Sequence, residues 1–295
     1  MNNPDLLIND KEASIKFEES LKLDVFEIIS VGNELLNGKT LNTNAHWLAK
    51  AITDLGGFVR RCTVIRDDIE EISSAVKESV ERKVDWLIIS GGLGPTYDDM
   101  TLQGLAKSFN CELILDSKAL EMVKKKYEEI VDQGLLKKAE LTPARMKMAF
   151  LPKGSKPLPN SLGTAPGVLL RESRMNILCL PGVPAEMKSI FEESVAPIIE
   201  KTRKSYHCEK SFFITGIVES ELAPLIEEVL QNNPSIYIKS HPRGREDGVS
   251  KIEIQVITTD EDRSIALKRV EDGLEQLTSM IVDRGGKIEN NKKSW

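Results

Sequence analysis

Histidine is scarce in this sequence and cysteine is scattered. The three histidines, His46, His207 and His241, stand far apart and form no HExxH or similar imidazole cluster, so any metal is expected to be a hard cation on oxygen ligands. Cys62, Cys111, Cys179 and Cys208 form no CxxC pair, which argues against a zinc–thiolate site or a disulfide framework and suits a reducing, cytoplasmic setting. No stretch of about 18 apolar residues occurs, so no membrane span is expected. Residues 1–24 carry scattered charges instead of a leader-like apolar run. A basic excess is missing too, and the formal charge of −6 speaks against a general nucleic-acid or anionic-membrane surface. No serine or cysteine sits in an elbow with a histidine partner, which leaves nucleophilic catalysis without support.

What is present is ordinary globular composition, 40% hydrophobic and 29% charged over 295 residues, enough for a large domain and a small one. Residues 1–24 read as a lead-in arm. Val25–Val31 is a strand running into Gly32, and a helix over 43–55 places Ala45, Leu48, Ala49, Ile52 and Leu55 on one face. A strand follows over 58–65, then a helix opened by Asp68 with Glu71 three residues on, a capping-box pattern. Trp86–Ser90 is short and apolar, as a strand buried on both faces should be. Helices are expected from about Asp99 to Phe109, over 117–133 and over 142–149, with a loop-rich, proline-dense segment at 152–166. Strands return at 168–170 and 176–180, and Pro184 opens a helix to about Ile199. This alternation predicts an α/β domain over 25–200, doubly wound on a mostly parallel sheet. After a break near 201–209, strands at 211–217, 235–240 and 250–258 with helices at 219–232 and 261–282 predict a small α+β domain over 206–289. The chain from Lys287 reads as fraying, with 290–295 as its tail.

Ligands of open parallel sheets bind beyond the carboxyl ends of strands. Three loops lie there. The first holds Gly32, Glu34, Asn42 and Asn44; the second runs Ser90-Gly91-Gly92-Leu93-Gly94-Pro95-Thr96-Tyr97-Asp98-Asp99-Met100-Thr101; the third is Pro181-Gly182-Val183-Pro184-Ala185-Glu186-Met187. In the second, Gly91, Gly92 and Gly94 let the backbone approach an anion, with the dipole of the next helix behind it and the hydroxyls of Thr96 and Thr101 as donors. Adjacent carboxylates beside a phosphate cradle would repel the ligand without a cation. Asp98 and Asp99 therefore suggest a divalent metal, with Glu34 as a further oxygen donor. The plainer alternatives stay open: a tight turn, with Asp99 as a helix cap and Asn42 and Asn44 as caps. Gly163-Thr164-Ala165-Pro166-Gly167 is a surface turn or, through Thr164, another phosphate contact. Arg145 and Lys147 read as solvated, and His46 as exposed.

The order GNELLNGKTLNTNA, SGGLGPTYDDMT, NSLGTAPG, LPGVPAEM resembles the N-terminal domain of the CinA (competence/damage-inducible protein A) family, in the molybdopterin-binding superfamily with the Mog, MoaB and MoeA proteins. Four motifs in register make the likeness specific over about 25–200. It implies a three-layer α/β/α fold and a metal-dependent pyrophosphatase (Mg, Mn or Co) that turns ADP-ribose into AMP and ribose 5-phosphate. Asp98, Asp99 and Glu34 would be catalytic, with Asp98 and Asp99 on the metal. Gly32, Asn42, Asn44, Gly91, Gly92, Gly94, Thr96, Thr101, Thr164 and Gly182 would contact the ligand. In the molybdopterin proteins the equivalent loop serves pterin and nucleotide phosphate chemistry, with Asp98 or Asp99 as the matching acid. The implied partner is a small nucleotide or pterin phosphate, and the implied assembly a homodimer. A molybdenum-cofactor transferase or adenylating step and a non-enzymatic nucleotide-binding module are the alternatives. Residues 206–289 resemble the KH-like module of that family but lack a GxxG clamp. From residue 206 onward 12 lysines and arginines face 16 aspartates and glutamates, which speaks against RNA. The resemblance ends before the C-terminal amidohydrolase domain of longer members, so nicotinamide-mononucleotide deamidation is not expected.

Overall fold

The computed structural model describes residues 23–246 and 249–289. The arm read over 1–24 lies outside them but for its last two residues, and the tail over 290–295 lies outside entirely. Two compact units result, Asp24–Arg203 and one that begins at Lys204.

In the first unit the elements are β1 (Val25–Val31), α1 (Asn33–Leu36), α2 (Thr43–Asp54), β2 (Phe58–Ile65), α3 (Ile69–Glu81), β3 (Trp86–Ser90), α4 (Thr101–Ser108), β4 (Leu113–Leu115), α5 (Ser117–Asp132), α6 (Pro143–Lys147), β5 (Phe150–Pro152), β6 (Lys156–Leu158), β7 (Gly167–Glu172), β8 (Met175–Leu180) and α7 (Pro184–Ile190), which a π-helical turn (Phe191–Val195) joins to α8 (Ala196–Thr202). The sheet runs β2-β1-β3-β8-β7-β6. Its four strands β2, β1, β3 and β8 are parallel, and β7 and β6 each reverse direction. Two reversals restore the direction of β8 in β6, so the loop leaving β6 emerges at the same edge as the loops leaving β1, β3 and β8.

Alternation along β1 and β3 sends side chains to two cores. Phe26, Ile28, Trp86 and Ile88 meet α2 and α7 through Leu48, Ile52, Met187 and Ile190. Ile29, Val31, Leu87 and Ile89 meet α3, α4 and α5 through Ile72, Val76, Leu105 and Val123. That is a three-layer α/β/α domain, and every residue of β3 is buried because helices cover both faces. Glu27 carries a charge into this interior. The Glu27 carboxylate on β1 takes Arg82 Nε at 2.6 Å and Ser79 Oγ at 2.8 Å, which satisfies a group that burial alone would make costly.

Several boundaries differ from the sequence reading. α4 begins at Thr101 and not Asp99, because the Asp99 carboxylate turns back to Thr96. Asp68 caps α3 by accepting from the amides of Glu70 and Glu71, but Glu71 closes no capping box, since its carboxylate goes to Arg66. The helix over 142–149 shrinks to five residues, and the loop-rich 152–166 holds the whole of β6.

The second unit has β9 (Tyr206–Thr215), α9 (Glu219–Asn232), β10 (Tyr237–Glu246), β11 (Val249–Asp260), α10 (Arg263–Asp283) and β12 (Lys287–Glu289) in an antiparallel sheet of order β10-β11-β9-β12. The helices cover one face through Leu222, Val229, Val270 and Leu277. Lys287–Glu289, read as the start of a fraying end, pairs with β9. The strands also run longer than 211–217, 235–240 and 250–258, since long-range pairing extends them past their apolar cores.

Candidate functional site

All four motif loops meet at the carboxyl edge of the first sheet. Asn44 ties them together: its Nδ2 donates to Ser90 Oγ at 3.0 Å and to Gly182 O at 2.9 Å, joining the ends of β3 and β8 to the start of α2. Its Oδ1 is buried and, among the described residues, has no partner. Asn42 is the cap it could have been, accepting from Ala45 N at 3.1 Å, and it also donates to Ser30 Oγ. Gly182 lies so near the second loop that a Cβ there would stand 3.5 Å from Gly91 Cα. The Ser161–Pro166 turn is held by Asn160, which accepts from the amides of Leu162 and Gly163 and donates to Ala165 O and to Glu186 of the last motif. A side chain at Gly163 would strike that Glu186 carboxylate. The Thr164 hydroxyl sits 3.8 Å from the sulfur of Met148.

The glycine-rich loop is built from close approaches. Gly91 has φ +110° and a Cβ would lie 2.2 Å from Val31 O, so no other residue fits there without a shift of β1. Its own amide donates to Leu180 O at 3.0 Å, which removes it from the set of anion donors proposed from sequence. Thr101 is also corrected: its hydroxyl is buried and donates to Gly91 O at 2.7 Å, so it locks the loop and cannot turn to a ligand. Among the described residues the amides of Gly92, Leu93 and Gly94 donate to no protein acceptor, which leaves three successive backbone donors.

Asp98 and Asp99 both approach Thr96. Asp98 Oδ1 and Asp99 Oδ2 each lie 2.5 Å from Thr96 Oγ1, and Asp99 Oδ2 takes the Thr96 amide at 2.8 Å. A hydroxyl has one proton, so it can satisfy only one of the two carboxylates at a time. The Thr96 hydroxyl, the Asp98 amide and the charge of Lys147 hold the Asp98 carboxyl below its ordinary value. Lys147, on α6, donates from Nζ to Thr96 O. Together with Gly92, Gly94, Asp99, Leu102 and Gln103 it lines a cavity of about 270 Å³. Glu34 stays apart: its carboxylate folds over Gly32, where a Cβ would meet it at 2.6 Å, and Gly32 donates its amide to Ile65 O. Among the described residues no three acidic, histidine or cysteine side chains converge as a metal cage. Asp98 and Asp99 remain two oxygen donors of the kind a hard cation takes.

Three contributors escaped the sequence reading as site residues. Lys147 reaches this loop from a helix 51 residues away, which no local pattern announces. Asn160 and Glu186 stand inside quoted motifs, where their mutual contact is invisible until the fold brings them together.

Residues 27–201 match the family described as "Probable molybdopterin binding domain". A protein of Sulfurisphaera tokodaii is 41% identical over 262 residues, 89% of this chain and 97% of that one. A protein of Pyrococcus furiosus is 45% identical over 218 residues, 74% of this chain and 85% of that one. Among solved structures, the protein CinA of Thermoplasma acidophilum, itself described as of unknown function, is 41% identical with a TM-score of 0.55, covering 60% of this chain and 98% of that one. Among the described residues no helix is long and apolar enough to cross a membrane.

Proposed function

Since the chain belongs to the molybdopterin-binding domain family and its first unit is CinA-like, we propose that this unit binds a nucleoside-diphosphate sugar with a divalent cation and hydrolyses its pyrophosphate bond, taking ADP-ribose to AMP and ribose 5-phosphate. One observation supports this above all others: two carboxylates compete for the single proton of Thr96 beside three free backbone donors. Carboxylates so placed call for a cation, and the donors call for an anion. A metal-bound phosphate satisfies both.

Asp98 and Asp99 would hold the ion, Mg²⁺, Mn²⁺ or Co²⁺. Once bound, it would neutralise charge on the departing phosphate. The amides of Gly92, Leu93 and Gly94 hold non-bridging oxygens, with no reorganisation needed as charge builds. Asn44 and Thr101 fix the loops that carry these groups. The attacking water comes from solvent, since Glu34 stands apart over Gly32. That water adds its oxygen to one phosphorus as the bond from that phosphorus to the bridging oxygen breaks, and the water's proton passes to solvent.

Turnover of ADP-ribose by the full chain, followed as AMP release, tests this. Release is expected with Mg²⁺, Mn²⁺ or Co²⁺ and not with chelator, and Asp99→Asn should reduce it about a hundredfold or more. No release with any of these ions from a folded protein rejects the hydrolase. The family description favours one second reading, a molybdopterin-type ligand at the same loops, in a cofactor-biosynthesis transferase or adenylating step or as a non-catalytic binding module. Tight molybdopterin binding without AMP release would put it first.

A further inference from the structure

Resting on that phosphate-binding reading, we propose that Lys147 is the site's charged phosphate contact: its ammonium donates to a phosphoryl oxygen of the bound ligand and supplies the positive charge that a loop with two carboxylates lacks.

Lys147 lines the same cavity as Gly92, Gly94 and Asp99, and its ammonium is held at Thr96 O, on the residue to which both carboxylates turn. An ammonium has three protons. One goes to Thr96 O, and among the described residues Lys147 forms no direct ion pair, which leaves two donors available to a ligand.

The mounting is rigid where the side chain is not. Thr142 caps α6, Pro143 occupies its first turn, and Arg145 lies over the Tyr127 ring at 3.9 Å while donating to Glu140 O at 2.7 Å. Immediately after Lys147, Met148 and Ala149 are buried in the core. The backbone is anchored on both sides, and the flexible stem alone can leave Thr96 O to follow a ligand oxygen. A solvated surface lysine would need none of this.

Electrostatics agree with the geometry. The Asp98 and Asp99 carboxylates both stand at Thr96 in this loop, so a pyrophosphate entering it meets negative charge unless a cation answers it. A lysine offers a compact point charge suited to a phosphoryl oxygen that moves during reaction.

The test is calorimetric titration of inorganic pyrophosphate and of ADP-ribose, with Mg²⁺, into the full-length protein and its Lys147→Arg, Lys147→Gln and Lys147→Ala variants. Loss of one charge-assisted bond predicts about tenfold to a hundredfold weaker binding of both ligands by the Gln and Ala variants. Lys147→Arg should stay within a few-fold, and ethylammonium should restore part of the binding of Lys147→Ala. Lys147→Gln keeps a donor for Thr96 O but no charge. If it binds pyrophosphate as the parent does, Lys147 is only a loop brace and the proposal falls. Should the parent protein bind neither ligand, the phosphate-binding reading fails first and this proposal with it.

Discussion

A single proton on Thr96 Oγ1 divides its service between Asp98 and Asp99. Thr96→Val deletes that proton, and the Asp98 pKa should then rise toward its ordinary value, as read by carboxyl ¹³C titration. No change would mean that the Asp98 amide and Lys147 alone hold it down. Glu27 obeys a different balance. Burial pushes its carboxyl upward, but hydrogen bonds from Arg82 and Ser79 and the charges of Arg82 and Arg61 outweigh this and leave it lowered from about 4.5. Its stabilisation is therefore full above that value and is lost as pH falls through the lower folded one. Urea midpoints should show a gap between the parent protein and Glu27→Gln near neutrality that narrows in acid. Arg82→Met strands the buried carboxylate and should cost about 3–5 kcal/mol. The gathering of glycines and acids in one loop was legible, because Gly92, Gly94, Asp98 and Asp99 are close in sequence. Thr101 was misread since its true acceptor, Gly91 O, lies ten residues back in a turn whose shape no spacing reveals.

Strands and helices with their own apolar pattern, such as β1, β3 and α2, were legible end to end. Elements that exist by virtue of a partner were not. β6 contains Pro157 and is three residues long, and it is a strand only because β7 offers it a ladder. β12 stands on β9 in the same way. The turn after β6 depends on one side chain, Asn160, with four bonds. Asn160→Ala should cost about 1–3 kcal/mol, through polar groups left unpaired. Hydrogen exchange would locate the effect: the amides of Leu162 and Gly163 should lose protection while those of β3 keep theirs.

At the scale of the whole chain, the division at Arg203 and Lys204 predicts two unfolding steps. A fragment spanning 24–203 should fold alone and keep its pyrophosphate affinity. The CinA structure, matched over 98% of its length by 60% of this chain, is a precedent for such an isolated unit. A fragment that stays unfolded by circular dichroism would show that residues outside it are needed to complete its core. The paired reversals of β7 and β6 have a consequence for how this unit could be rebuilt. With all four candidate loops gathered at one edge, the opposite edge carries connections, among them the exposed turn at Ser173 and Arg174 between β7 and β8. A guest domain could be threaded in there without any residue of the candidate site changing its neighbours.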